Sequence, residues 1–528
     1  MTRVTRTSIA RLSALPGFRN LLATLGRLNK PGYGNSFIEP FNDENTFSEF
    51  QEKVDELAYG LDPVLDEMEK SNRAKAVPFD RPPYSEWAEN VYDYFQEVGS
   101  PVDDAVEAEI VQNVLDYFEY HRFSTNITPL TFESGFNHSR KNTSLGLPHL
   151  TSDWSNRKVL AGYLGRGRKL FEGKRAPLNP FVLFVRVQQG KTVDSNKIRP
   201  VWGADHAETF GSLPFLVPLI ESMRERAGMS AWKGIDGVQA DVASWRRPLE
   251  PEELYLSGDI SRMDQSVHEV DQRIAFTLIQ HLISMPPKLV EQLIEHYVFG
   301  ELVTPEGILA GRHGLPSGVA FTNMVDTLVV LGKSLTAMRR LGYQIPEISG
   351  QWHGDDFVIR IKRQLAADFI GIMNELGVTV SDDSSKTLQD GERFQYLQRL
   401  WTPHLDAVYP LHRIGARLVH SERFITQVST REGEKTEFDK AIRMLQIYSK
   451  LENGRNHPRF LSFVELVGKY DRYQLSPEII GGKWKFLEGV EGYASRPTEA
   501  NSGGLENTAT FRAVMRLRML GKLKPQTG

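Results

Sequence analysis

The sequence predicts an α+β fold in which helices lie on one face of an antiparallel sheet. Three observations predict it. A strand-like run, Leu254-Tyr255-Leu256-Ser257-Gly258-Asp259, ends in a carboxylate; a β-hairpin reads over 348–362 with Gly354-Asp355 as its turn; and amphipathic helices occupy the intervals before and after the hairpin. In order, the middle of the chain runs strand, helix, helix, hairpin, helix, strand, which is the pattern of a sheet with helices packed on one side.

Composition narrows the class. A chain of 528 residues is too long for one small core and predicts about three to four structural units. A hydrophobic fraction of 40% and a charged fraction of 25% are those of a soluble globular protein. No apolar run approaches a membrane span and no secretory signal is visible, so the expectation is a soluble protein inside a cell or a particle. The absence of cysteine excludes disulfides, thiolate zinc sites and cysteine nucleophiles, and leaves oxygen or histidine as metal ligands. The net charge of −4 does not exclude a nucleic-acid partner, because a phosphate channel needs only a local basic lining.

The first 30 residues carry Arg3, Arg6, Arg11, Arg19, Arg27 and Lys30 and no acid. Three readings stay open there: a basic arm on nucleic acid, an Arg-rich presequence, or a solvated tail. From Asp43 to Lys70 the sign reverses, with ten acids against two lysines. Thr46-Phe47-Ser48-Glu49 reads as a capping box opening one surface helix with an acidic outer face. The loop Asn142-Thr143-Ser144-Leu145-Gly146-Leu147-Pro148 presents hydroxyls and backbone amides, which are good donors to phosphate oxygens, although an ordinary turn reads the same. A basic cluster follows from Arg157 to Arg199 and includes Arg186. Within it 181–187 is strand-like, and Lys197-Ile198-Arg199 alternates so that both cations project from one face, either toward a triphosphate or as a solvated edge.

After the strand ending at Asp259, Asp264 falls in the turn before a helix that starts near Ser266 and stops at Pro286-Pro287. The glycine-punctuated loop Gly314-Leu315-Pro316-Ser317-Gly318 runs into a helix ending at Gly342, and Thr322, Asn323 and Asp326 share a face near its start. They read either as caps or as a ribose site. The hairpin then holds Asp355 and Asp356 at a strand end. Adjacent carboxylates are costly unless a cation neutralises them, so a hard divalent metal is their natural partner. An amphipathic helix closed by Gly377 comes next, then a strand over 378–381, Lys386 in a Ser- and Asp-rich loop, and a strand candidate over 394–401. The last hundred residues read as mostly helical, at 438–451 and 459–470, and end in a basic tail.

Taken in order, these motifs resemble the RNA-dependent RNA polymerases of double-stranded RNA viruses, most closely the picobirnavirus and partitivirus group, over residues 140–402. Thr143 to Pro148 looks like the template-entry loop and Lys197-x-Arg199 like the basic fingertip. Asp259-x4-Asp264, Ser317-Gly318-x3-Thr322 and Gly354-Asp355-Asp356 look like the three palm motifs. Lys386 looks like the lysine of the fourth, and Phe394 to Arg399 like the primer-gripping strand.

The resemblance implies a right-hand polymerase closed by fingertips: an N-terminal extension over 1–70, fingers over 71–250, a palm over 251–402 with an inserted fingers segment near 285–312, a thumb over 403–496 and a basic tail over 497–528. It implies two Mg²⁺ ions, for which Mn²⁺ may substitute, on Asp259, Asp355 and Asp356, with Lys386 as the acid for pyrophosphate. NTP contacts would come from Lys197, Arg199, Arg186, Asp264, Ser317, Gly318, Thr322 and Asn323, and template or primer contacts from Thr143, Ser144, Gly146, Phe394 and Tyr396. The implied partners are RNA template, nascent RNA, NTPs and a viral capsid protein, with no membrane, in the virion interior and the host cytoplasm. Reverse transcriptases differ in placing an aromatic gate at the position of Asp264 and a Tyr-x-Asp-Asp hairpin. In one respect this chain departs from picornavirus-like enzymes: they carry asparagine four residues after the threonine, where Asp326 stands here. A non-catalytic RNA-binding protein keeping the fold is the reading from another class, and the intact carboxylates argue against it.

Overall fold

The hairpin expected at Gly354-Asp355 is present and forms two strands of a three-stranded antiparallel sheet. The computed structural model of the chain describes residues 4–33, 35–36, 44–95, 100–139, 143–246, 249–381, 392–403, 407–421, 447–448, 450–471, 475, 516 and 519–520. Two units are distinguished, the first built from 1–30, 83–185 and 200–397, the second from 31–82, 186–199 and 398–528.

The first unit contains, in chain order, β1 (Thr5–Thr7), α1 (Phe18–Leu28), α2 (Asp104–Tyr120), α3 (Arg157–Phe171), β2 (Phe181–Gln188), β3 (Lys197–Gly203) and α4 (His206–Met223). There follow β4 (Glu253–Asp259), α5 (Met263–Ser266), α6 (Glu269–Leu282), α7 (Pro287–Phe299), β5 (Leu302–Thr304) and β6 (Gly307–Ala310). Then come α8 (Thr322–Arg340), β7 (Gly350–His353), β8 (Asp356–Lys362), α9 (Ala366–Glu375) and β9 (Phe394–Tyr396). The far end of β2 and the start of β3 lie in the 186–199 segment of the second unit.

Strand β8 is the centre of the three-stranded sheet. It pairs with β4 from Glu253↔Lys362 to Asp259↔Asp356, and with β7 from Gly350↔Ile359 to His353↔Asp356. Helix α8 is buried almost continuously from Met324 to Met338, which makes it a core helix rather than a surface one. It packs against α2, α6, α9 and β7. Its register on α6 is fixed by an ion pair between Lys333 Nζ and Asp271 Oδ1 at 2.7 Å, with both side chains at most 2% exposed. Removing one partner would strand a buried charge, at a cost of about 3–5 kcal/mol.

A five-stranded sheet has the order β1-β6-β5-β2-β3. Here the N-terminal arginines find partners: β1 pairs antiparallel with β6, Arg6 meets Glu306 at 2.8 Å, and Arg11 pairs with Glu301. These two cations of the expected basic arm are thus spent on acids of the same unit.

In the second unit the acidic stretch forms two helices, Glu44–Ala58 and Pro63–Ala74, where one was expected, and the first begins two residues before Thr46. Phe50 and Val54 pack with Ile414, Leu418, Phe463 and Val464 of the helices Leu411–Val419 and Phe460–Tyr470. Among the described residues of that stretch one acid is buried: Glu69 accepts from the backbone N–H groups of Leu411 and His412 at 2.6 and 2.9 Å, satisfying a helix start. Burial lifts its carboxyl to about 8 despite those two bonds.

Several sequence expectations shift. Asp264 sits in the first turn of α5, a four-residue helix, and α6 begins only at Glu269, after His268. Residues 378–381 contribute an isolated bridge, Ile260↔Val380, instead of a strand. The candidate strand over 394–401 is broken into Phe394–Tyr396 and Arg399–Trp401 by positive φ at Leu397 and Gln398. Lys386, most of the helix expected over 438–451 and most of the basic tail lie outside the described residues.

Candidate active site

Strand pairing brings the carboxylates together. The β4–β8 register puts Asp259 directly across from Asp356, a pairing that spaces Cα atoms by about 4.5–5.5 Å. The backbone carries the join onward: Ile260 N–H donates to Asp355 O at 3.0 Å and Ser381 N–H to Asp259 O at 2.8 Å. Asp259, Asp355 and Asp356 therefore share one end of one sheet. Five residues past Asp259, α5 returns Asp264 toward the same end, where Leu315 N–H holds its carbonyl at 2.7 Å.

Helix α8 closes the site from behind. Gly354 N–H donates to Thr327 Oγ1 at 2.8 Å, which ties the turn to the helix. Gly354 has φ +60°, which favours glycine, and a Cβ there would lie 3.1 Å from Asn323 Nδ2, so the amide would have to give by a few tenths of an ångström. Asp326, 6% exposed, is the buried acid of the group. Burial first, then the charges of Asp264 and Asp355, push its pKa well up, and it shares a hydrogen bond with Asp264. Asp326 Oδ1 has no hydrogen-bond partner among the described residues.

The other expected ribose residues separate. Asn323 faces the hairpin, and its Oδ1 accepts from Trp232 Nε1 at 3.0 Å. Thr322 turns to its own loop, its hydroxyl within reach of the carbonyls of Pro316 at 2.8 Å and Val319 at 3.1 Å. Ser317 Oγ lies 3.3 Å from Pro200 O and 3.4 Å from Trp202 N. At Gly318 a Cβ would meet Trp202 O at 1.9 Å, so only glycine permits that approach.

Lys197 and Arg199 project from the exposed face of β3, alternating with buried Ile198 and Pro200, and Arg186 is exposed at the end of β2. All three belong to the second unit and the aspartates to the first. Thr143 and Ser144 are half-buried on the expected template loop, with Thr143 Oγ1 3.2 Å from His206 Nε2. Gly146 is buried, its carbonyl accepting from the Tyr163 hydroxyl at 2.8 Å. Phe394 and Tyr396 are also buried, the former against Tyr255 at 5.2 Å between ring centroids. Their side chains belong to the packing beneath the sheet.

Two residues with no motif around them join the site. The segment 228–234 is tied to the hairpin by Trp352 N–H on Gly228 O at 3.0 Å and Ser230 Oγ on Gln351 Oε1 at 3.0 Å, and this places Trp232 over Asn323 and beside His353. Burial lowers the His353 pKa to about 4, leaving it neutral. Tyr94 reaches Asp264 from a distant segment.

A family model described as viral RNA-dependent RNA polymerase matches residues 39–425. The chain belongs to this family. It is an RNA-directed RNA polymerase with a mixed helix and sheet fold of the right-hand type. The RNA-dependent RNA polymerase of a human picobirnavirus is similar in structure, with TM-score 0.76, 19% identity, and 98% of this chain and 100% of that chain covered. Its insertion-loop deletion mutant gives TM-score 0.75 at 18% identity, covering 98% and 100%. The sicinivirus 3Dpol RNA-dependent RNA polymerase gives 0.50 at 17%, covering 72% of this chain and 84% of that one. No curated protein matches the sequence.

Viral polymerases of this family use divalent metal ions and act on RNA template and NTPs. Among the described residues no three acids or histidines already converge as a preformed cage. Asp259 and Asp356 across a strand pair, with Asp355 beside them, nonetheless match the demands of a hard cation in charge and in oxygen ligands. Among the described residues, no helix is long and apolar enough to cross a membrane.

Proposed function

We propose that this polymerase replicates and transcribes a viral double-stranded RNA genome by two-metal nucleotidyl transfer. The observation that carries the proposal is the register that sets Asp259 across from Asp356, with Asp355 in the adjoining turn. When bound to Asp259 and Asp355 with Asp356 assisting, two Mg²⁺ ions, or Mn²⁺ in their place, would lower the pKa of the RNA 3′-hydroxyl and offset charge on the attacking and leaving oxygens.

The chain's own residues do the rest. Asp264 accepts from the ribose 2′-hydroxyl, favouring RNA over DNA product, and Asn323 presents the amide that Trp232 orients. Ser317 and Gly318 set the loop leading to α8, and the Thr322 hydroxyl ties the helix start back to that loop at Pro316 O. By their motifs, Lys197, Arg199 and Arg186 hold the triphosphate and Lys386 protonates the departing pyrophosphate. Thr143 and Ser144 donate to template phosphates from the loop that Gly146 turns, and Phe394 and Tyr396 support the primer strand from beneath.

In the same reading, 71–250 are fingers, 251–402 palm with an insertion near 285–312, 403–496 thumb, and 1–70 and 497–528 extensions. A capsid protein is the partner, in the virion interior and host cytoplasm. Asp355→Asn tests the proposal: it should abolish Mg²⁺-dependent NTP incorporation on an RNA template with the melting temperature retained, and surviving incorporation would refute the two-metal assignment.

A further inference from the structure

Asp264 carries the choice of sugar in the reading above, and an aspartate held only by its backbone would sample several rotamers. Its surroundings constrain it. Asp326 meets one side of the carboxylate, and the Tyr94 hydroxyl lies 3.4 Å from Asp264 Oδ2. Tyr94 is itself fixed at three points. Its carbonyl accepts from Gly314 N–H at 2.9 Å, one residue before Leu315 holds the Asp264 backbone. Its ring packs on Trp202 at 5.4 Å between centroids, the residue whose N–H lies beside Ser317 Oγ. The neighbouring Asp93 pairs with Arg262 at 2.9 Å, two residues from Asp264. Only 5% of Tyr94 is exposed, so its hydroxyl has little freedom to turn elsewhere.

From this geometry we infer that Tyr94 is a positioning residue for sugar selection, holding the Asp264 carboxylate so that it meets the ribose 2′-hydroxyl. The inference rests on the reading of Asp264 as the sugar-contacting acid. A separation of 3.4 Å is long for a hydroxyl on a carboxylate, as is common in ligand-free sites whose hydrogen bonds tighten when substrate arrives. A tyrosine hydroxyl suits the task because it donates while staying neutral near pH 7 and adds no charge beside the metal acids. Tyr94 also links two parts of the site, touching Trp202 beside the loop carrying Ser317 and Asp264 in the strand–helix turn.

The test uses the full-length polymerase on a primed RNA template, comparing kcat/KM for ATP and dATP in Tyr94→Phe, Asp264→Asn and the unaltered chain. Tyr94→Phe keeps the ring and its packing, so the melting temperature should hold. Its preference for ATP over dATP should fall roughly tenfold, the size expected for one hydrogen bond to a charged group, mainly through a higher KM for ATP with kcat retained. Asp264→Asn should lower the same ratio at least as far. A ratio that falls in Asp264→Asn and stays unchanged in Tyr94→Phe would overturn the role of Tyr94 and leave the sugar reading intact. An unchanged ratio in Asp264→Asn would overturn the sugar reading itself, and the inference with it.

Discussion

Gly354→Ala perturbs the turn that carries the metal acids while leaving every carboxylate in place. Two costs follow from the structure. At φ +60° an alanine pays the left-handed penalty, about 1–2 kcal/mol. Its Cβ also meets Asn323 Nδ2 at 3.1 Å, so the amide must give by a few tenths of an ångström although Trp232 holds its other end. Losing that hydrogen bond adds about 0.5–1.5 kcal/mol, for a total of about 1.5–3.5 kcal/mol. If the hairpin yields instead, Asp355 shifts, and a displacement near 1 Å lowers turnover about 100-fold. The assay is kcat/KM for NTP on a primed RNA template, with thermal melting, in Gly354→Ala, Asn323→Ala and the double variant. Removing the Asn323 amide removes the clash but not the backbone penalty, so Gly354→Ala should be two- to tenfold less harmful in the Asn323→Ala background. Single-variant losses that multiply in the double variant, or near-normal activity in Gly354→Ala, would refute the contact argument.

Two further outcomes follow from the same site. Trp232→Phe keeps the ring beside His353 but removes the donor to Asn323 Oδ1, so the freed amide should lower preference for NTP over dNTP several-fold with stability nearly unchanged, measured by competitive incorporation. Asp326→Asn bears on pH. The folded pKa of Asp326 is raised, so its contribution to stability is complete below the unfolded value, about 3.9, and is lost as pH rises through the folded value. The metal-free asparagine variant should therefore lose less stability than the unaltered chain as pH rises from 4, as read by chemical denaturation at a series of pH values. Parallel profiles would show that Asp326 does not hold a proton.

What was legible in the sequence is what local physics decides. The hairpin at Gly354 follows from turn chemistry, Glu253–Asp259 from its apolar run, and Thr322–Arg340 from the stretch between the glycine-punctuated loop and Gly342. The resemblance implied that Asp259 and Asp356 share a metal site, but their pairing was not legible in the residues, since register is set by the partner strand. The four-residue helix bearing Asp264 is too short to show a period, and the break after Tyr396 falls on Leu397 and Gln398, residues with no preference for positive φ. Tyr94 and Trp232 were not legible at all: they reach the site across 170 and 91 residues, and neither sits in a recognisable spacing. The N-terminal arginines showed their charge but not their partners, Glu306 and Glu301, which lie nearly 300 residues away in the chain.

The departure at Asp326 has a physical reading that joins these threads. Picornavirus-like enzymes carry an amide at this position, and an ionised acid there would face Asp264 and Asp355 at close range. Burial eases the conflict, because a carboxyl deprived of water among like charges has its pKa pushed up toward the protonated form. A protonated carboxyl offers one donor and one acceptor, as one face of an amide does, so it can hold Asp264 in the same sense as asparagine would. The difference is that an amide cannot ionise. In this chain Asp264 has beside it the Asp326 carboxyl, whose pKa burial raises, and the Tyr94 hydroxyl at 3.4 Å.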